Sequence, residues 1–172
     1  SRSRGKLTED FLLSTETPEN YVNTIDGALF SGFNLFAGDT KNLYYTSNRG
    51  GQTKKLPPGI YGISNHLLDT PWPKLSLAKE RFIEALNAIP EETPFFTLLA
   101  DSTITPDEQL PSTGVSLDWE RNLSAVFIHS PGYGTRASTL LLCRSNGSAT
   151  FIERSFDETG EKGEARLIIP AP

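Results

Sequence analysis

Two polar residues of this sequence have side chains suited to stabilising a negative charge that develops during a reaction. Asn65 follows the stretch YGIS, and Arg136 ends the stretch GYGTR. An asparagine amide can donate a hydrogen bond to an oxyanion, and an arginine can hold a carboxylate or orient a polar neighbour. Glycines near both residues let other groups approach the backbone. We predict that the two side chains face one cleft, although a turn cap for Asn65 and a surface ion pair for Arg136 fit the same residues.

The histidines and the cysteine show no pattern typical of a metal site. His66 and His129 are far apart and lack HxH or HExxH spacing, whereas a closed zinc site needs four nitrogen or sulfur ligands. Cys143 follows three consecutive leucines, which predicts a thiol buried in apolar surroundings and therefore inert. The sequence thus indicates no metal, and the residues alone favour a structural role for both histidines.

Composition excludes several classes of protein. The chain has 172 residues with a formal net charge of −5 and one cysteine. Lys and Arg are not clustered, so the sequence does not predict binding to a nucleic acid. No apolar run approaches the roughly 18 residues of a membrane span. A single cysteine favours a reducing compartment, which predicts a cytoplasmic location. The length predicts one domain over residues 1–172.

Periodicity predicts the elements that must position the candidate residues. Apolar spacing indicates a helix at 6–13, a second that begins at Pro18 after the capping residue Thr17, and a third at 76–89. Alternation and turn residues indicate strands at 32–37, 42–47 and 60–64, so that Asn65 would follow the end of a strand.

The second half of the chain repeats this order. Weaker helical patterns lie at 93–101 and 118–128, and strands are predicted at 135–144, 149–156 and 164–170. Helices and hairpins that alternate in this way predict an α+β fold in which helices pack on antiparallel sheets.

Trp72 lies between Pro71 and Pro73, within the segment that follows Asn65. The prolines fix the backbone on both sides of a large apolar ring. We therefore expect Trp72 to pack against the domain and to hold the segment that carries Asn65 in one conformation.

Several stretches together resemble the NRDE-domain family, to which the transport and Golgi organisation proteins belong. They are SRGKLTEDFL, GFNLFAGD, LYYTSNRGG, LPPGIYGISNHLLDTPWPK and YGTRASTLLL, in order from Ser3 to Phe156. The family is related to the cysteine branch of the N-terminal-nucleophile hydrolases. The resemblance implies a four-layer αββα sandwich with antiparallel sheets, in which Asn65 helps to bind an oxyanion and Arg136 is the late arginine of the site.

The family's N-terminal cysteine and its Asn-Arg-Asp-Glu run are not found in this chain. We therefore expect the chain to be the C-terminal two-thirds of an NRDE domain, incomplete at the N-terminus. Cys143 cannot replace that nucleophile, because it is internal and has no free α-amine to act as its base.

The resemblance implies two classes of function. The first is a protein of secretory-pathway and Golgi organisation that binds a small hydrophobic ligand, such as haem or a lipid, with Golgi or mitochondrial association. Haem needs an axial ligand beside an apolar slot, and His66, close to Trp72, is the candidate. The second class is a cysteine amidohydrolase of linear amides whose nucleophile lies outside this chain.

Overall fold

The computed structural model describes residues 1–171, which form helices and antiparallel sheets. They divide into two compact units, one over Ser1–Leu68 and another that begins at Asp69. The fold class is therefore α+β, as the alternation of helical and extended patterns predicts.

The first unit has helices before strands. Its elements are α1 (Gly5–Leu13), α2 (Pro18–Thr24), β1 (Asn34–Gly38), β2 (Leu43–Ser47) and β3 (Lys54–Leu56). Thr17 caps α2 as predicted, because its hydroxyl accepts a hydrogen bond from the Asn20 amide at 3.3 Å.

The three strands form an antiparallel meander with β2 in the centre. Val22 of α2 packs on Ala37 and Tyr44, and these residues form the apolar core of this unit. The neighbouring Tyr45 points to the opposite face, as successive strand residues must, and it is also buried. The central strand is therefore covered on both sides.

The predicted strand at 60–64 is wrong. The third strand of the sheet is β3, and residues 57–72 contain no helix or strand. Asn65 consequently lies in an irregular segment and not at the end of a strand. The main chain of residues 65–68 is hydrogen-bonded by side chains of the first unit, those of Asn34, Tyr45 and Arg49, and not by a neighbouring strand.

The second unit has helices before its main sheet. Its elements are α3 (Pro73–Leu86), α4 (Thr93–Leu99), α5 (Leu117–Leu123), the short strands β4 (His129–Ser130) and β5 (Tyr133–Gly134), and the long strands β6 (Ala137–Cys143), β7 (Ala149–Asp157) and β8 (Gly160–Ile169). Strands β6, β7 and β8 form another antiparallel meander. Its core joins Leu140 and Ile152 to Phe95 and Phe96 of α4.

The prediction of a buried thiol at Cys143 is wrong, since the side chain is exposed. Alternation does turn Leu141 and Cys143 to one face, but that face is the exposed one. The helices cover the other face, where Leu140 lies opposite Ile152 in the register of β6 and β7.

Within residues 1–171, no helix is both long enough and apolar enough to cross a lipid bilayer.

Candidate functional site

The segment that carries Asn65 and His66 is held by three side chains of the first unit. Arg49 donates a hydrogen bond to the main-chain oxygen of Asn65 at 3.0 Å. The amide of Asn34 donates to the main-chain oxygen of His66 at 3.0 Å. The Tyr45 hydroxyl accepts from the main-chain nitrogen of Leu68 at 3.2 Å. These side-chain hydrogen bonds fix the backbone of the irregular segment, as the hydrogen bonds of a neighbouring strand would fix a strand.

The side chains of Asn65 and His66 are exposed on this fixed backbone. The Asn65 amide oxygen accepts a weak hydrogen bond from Ser64 at 3.4 Å. Within residues 1–171 its amide nitrogen makes no hydrogen bond, so this donor can reach a ligand. The segment therefore presents an amide and an imidazole to solvent from a positioned backbone.

Tyr45 and Asn34 together link this segment to the first sheet at two points. Its hydroxyl donates to Asn34 Oδ1 at 2.7 Å while it accepts from Leu68. Asn34 in turn uses its nitrogen for His66, so one chain of hydrogen bonds runs from β2 through β1 to the segment. Networks of this kind hold their members more rigidly than separate pairs do.

Arg136 lies in the second unit, at the border of a cavity of approximately 290 Å³. Arg136 directly precedes β6, and its main-chain oxygen accepts a hydrogen bond from the Phe156 amide at 2.9 Å. Among the residues that the structure describes, its guanidinium makes no hydrogen bond or ion pair. The cavity is also lined by His129, Ser130, Tyr133, Asp157 and Glu158.

The hairpin of β4 and β5 shapes this cavity and explains one glycine of the GYGTR stretch. A Cβ at Gly134 would lie 2.9 Å from the main-chain oxygen of Ile128, which is closer than real Cβ contacts. That same oxygen accepts from the Thr135 amide at 2.8 Å. Tyr133 packs edge-on against Trp119, with ring centroids 5.3 Å apart. The chain can turn back on itself here because residue 134 has no side chain.

The cavity combines an unpaired cation with groups that accept or donate protons. Asp157 is ionised, because hydrogen bonds from Thr159 and the ammonium of Lys162 lower its pKa to about 2. A guanidinium without a carboxylate partner can bind a carboxylate or phosphate in a bidentate manner. The guanidinium of Arg136 therefore suits an anionic group of a ligand.

The sequence analysis selected Arg136 as a candidate and interpreted His129 as structural. The strands that place His129 on this cavity have two residues each, which is too short for any periodicity. The glycines on both sides of Tyr133 were the available signal.

Trp72 belongs to the second unit and precedes α3, which starts at Pro73. Its ring is half-buried, and the Lys74 ammonium lies 6.0 Å from the ring centroid. The sequence placed this helix three residues later, at 76. Asn65 and His66 are therefore neighbours in one unit, and Trp72 and Arg136 lie in the other.

Among residues 1–171, no group of three or more His, Cys, Asp or Glu side chains is arranged to hold a metal ion.

Comparison with known proteins gives a consistent result. The family model described as Transport and Golgi organisation 2 matches residues 1–158. The chain is similar to the transport and Golgi organization protein 2 homolog of Homo sapiens, with 35% identity over 174 residues, which cover 91% of this chain and 63% of that protein. The homolog of Bos taurus is 36% identical over 175 residues, with the same coverage of 91% and 63%. The chain thus spans less than two thirds of the length of these relatives.

Proposed function

Because the chain belongs to the transport and Golgi organisation 2 family, we propose that it acts in the organisation of the Golgi and the secretory pathway. In this proposal the protein binds a small hydrophobic ligand, such as haem or a lipid, in a cleft resembling that of a hydrolase with an αββα sandwich. It works in the cytoplasm, with Golgi or mitochondrial association. Residues 1–172 are the C-terminal two-thirds of one NRDE domain.

The observation that carries the ligand proposal is the positioned backbone of residues 65–68. Binding costs less when the groups that meet the ligand are already ordered. Hydrogen bonds donated by Arg49 and Asn34, and one that Tyr45 accepts from Leu68, order this segment before any ligand arrives. His66 is exposed on it and is followed by two half-buried leucines, Leu67 and Leu68.

Each candidate residue has a role in this proposal. His66 supplies the imidazole that an iron porphyrin needs as an axial ligand. Asn65, on the same segment, binds a polar group of the ligand, such as a carboxylate that haem carries. In the second unit, Trp72 offers an apolar ring and Arg136 offers a cation that can bind a carboxylate. Haem itself would supply the iron, and the chain would supply binding and orientation.

Haem titration of the purified protein tests the role of His66. We expect a saturable shift of the Soret band in the wild-type protein and loss of that shift in His66→Ala. His129→Ala is the matched control, because it removes the other histidine and leaves residues 65–68 intact. An identical titration for His66→Ala and the wild type would remove His66 as ligand.

Binding of lipids is tested separately with a fluorescent fatty acid as probe. If haem fails to bind and the fatty acid binds with competition from unlabelled fatty acid, the hydrophobic ligand is a lipid. If neither probe binds, the ligand proposal is wrong for this chain.

The exposed amide of Asn65 favours a second candidate, an amidohydrolase of linear amides. In this candidate the Asn65 amide would donate to the oxyanion. The nucleophilic cysteine would lie outside this chain, since Cys143 is the only cysteine and is internal. The full-length protein should then release p-nitroaniline from acyl p-nitroanilides, and Asn65→Ala should lower kcat far more than it changes KM. No release by the full-length protein would exclude this candidate for these substrates.

A further inference from the structure

A second cavity of the second unit borders a half-buried lysine. The cavity has a volume of approximately 320 Å³, close to the lower limit of ligand pockets at about 300 Å³. Its apolar walls come from α3, from the residues after α4 and from the residues after α5: Pro73, Leu77, Ile104, Pro106 and Val126. Lys74 also lines it.

The ammonium of Lys74 has more N–H donors than hydrogen bonds. Its Nζ donates one hydrogen bond, to the main-chain oxygen of Leu123 at 2.6 Å, and lies near the ring of Trp72. An ammonium has three N–H donors. Within residues 1–171 no carboxylate forms an ion pair with Lys74. Its burial without a counter-ion lowers the pKa of Lys74, since desolvation disfavours the charged form.

Other lysines of this protein differ in this respect. Lys6, Lys79 and Lys162 each form an ion pair with an aspartate. Lys41, Lys54 and Lys55 are exposed to water, which compensates their charge. Lys74 combines partial burial with the lack of a carboxylate partner, and it does so at the wall of a cavity.

The two carboxylates that line the cavity do not neutralise Lys74. Asp101 is engaged by the guanidinium of Arg81 and by the amide and hydroxyl of Thr103, and these bonds lower its pKa. Glu80 is exposed on α3. Its charge would repel a dianion more than a monoanion.

We propose that this cavity binds a small organic monocarboxylate, with the ligand carboxylate on Lys74 and its apolar body against Leu77, Ile104 and Val126. The bound carboxylate supplies the counter-ion that the ammonium lacks, and it uses the N–H donors that the Leu123 oxygen leaves free. The apolar walls contact the rest of the ligand. This site is separate from the cavity at Arg136, and the proposal does not depend on the proposed function.

Benzoate and benzamide test this proposal, because they share one apolar ring and differ in charge. We expect saturable binding of benzoate by the intact chain, followed through the fluorescence of Trp72 and the amide NMR signals around Lys74. Benzamide should bind at least about tenfold more weakly, since hydrogen bonds to charged groups are the stronger ones. Inorganic phosphate should also bind more weakly, because it has no apolar body and Glu80 repels its dianion. Equal binding of benzoate and benzamide, or no saturable binding of benzoate, would overturn the proposal.

Two substitutions localise the site. Lys74→Gln should weaken benzoate binding by about tenfold or more, whereas Lys79→Gln, on the same helix but outside the cavity, should leave it unchanged. Benzoate binding that survives Lys74→Gln would overturn the assignment. If Lys74→Gln does not fold, Glu80→Gln is the second variant. Removal of the Glu80 carboxylate charge should tighten benzoate binding, and unchanged or weaker binding would contradict the proposal.

Discussion

The protein contains two three-stranded antiparallel meanders whose surroundings differ. In the first, β1–β2–β3, the central strand is buried on both faces. In the second, β6–β7–β8, helices cover one face, and large apolar side chains are exposed on the other. The two sheets share a topology, so what lies against each face decides which residues form the core.

The first sheet uses neighbouring tyrosines for two purposes. Tyr44 packs on Val22 of α2, whereas Tyr45 faces the opposite side and holds the segment that carries Asn65 and His66. A sheet with both faces in use can therefore support a site with one face while the other provides stability.

The second sheet separates its two faces. Ile152 is 0% exposed in the core beneath α4, whereas Leu141 and Leu167 are 54% and 57% exposed. Leu141, Phe151 and Leu167 lie side by side across the three strands. These strands therefore have more large apolar residues than the face covered by the helices can bury.

The largest effect expected from this comparison is at the covered face of the second sheet. Ile152→Ala should lower the free energy of unfolding by about 2–5 kcal/mol, because it leaves a cavity in a packed core. Leu141→Ala, the matched control on the other face, should change it by at most about 0.5 kcal/mol. Urea unfolding of both variants measures the difference. A loss at Leu141 as large as that at Ile152 would mean that the exposed face is covered in solution.

A smaller effect is expected at the first sheet. Tyr45→Phe removes a hydroxyl that donates to Asn34 and accepts from Leu68. Two hydrogen bonds should cost about 1–3 kcal/mol together, and the Leu68 amide should exchange its hydrogen faster. Tyr61→Phe is the control, since that hydroxyl donates only to the nearby Pro57 oxygen. Unchanged exchange at Leu68 in Tyr45→Phe would show that Tyr45 does not order the segment.

The comparison also explains which sequence predictions succeeded. The start of α2 was predictable because Thr17 and Pro18 mark it with local chemistry. Helix α3 was predictable from its apolar stripe, but its start at Pro73 was placed three residues too late. Residues 137–143 were predictable as a strand, but three consecutive leucines place apolar groups on both faces. Alternation then gives no basis for choosing the inner face, and Cys143 was assigned to the wrong one.

The candidate site was less accessible to sequence reasoning than the fold. The stretch at 60–64 contains two isoleucines and a tyrosine, as a strand would, yet it forms no strand, and residues 65–68 after it bind side chains far away in the sequence. Such partners leave no periodic pattern. Asn65 was chosen for its amide, for the glycines near it, for the family resemblance and for its predicted place at the end of a strand, and that strand is absent.

The smallest expected effect compares the turns of the two sheets, each of which contains an aspartate. Asp39 accepts hydrogen bonds from the amides of Lys41 and Asn42 after β1. Asp157 accepts from both the hydroxyl and the amide of Thr159, at 2.7 Å each, and also pairs with Lys162. These contacts lower both pKa values, that of Asp157 to about 2.

A carboxyl group whose pKa is lowered by folding stabilises the protein above its unfolded pKa of about 3.9, and this contribution is lost as the pH falls through the folded value. Both turns should therefore weaken in acid, with Asp157 protonated near pH 2. Carbon-13 NMR of the side-chain carboxyl groups measures both midpoints in one titration. Thr159→Ala should raise the midpoint of Asp157 and leave that of Asp39 unchanged, because it removes the largest cause of the shift in one turn only. An ordinary midpoint for Asp157 in the wild-type protein would show that the contacts with Thr159 and Lys162 do not persist in solution.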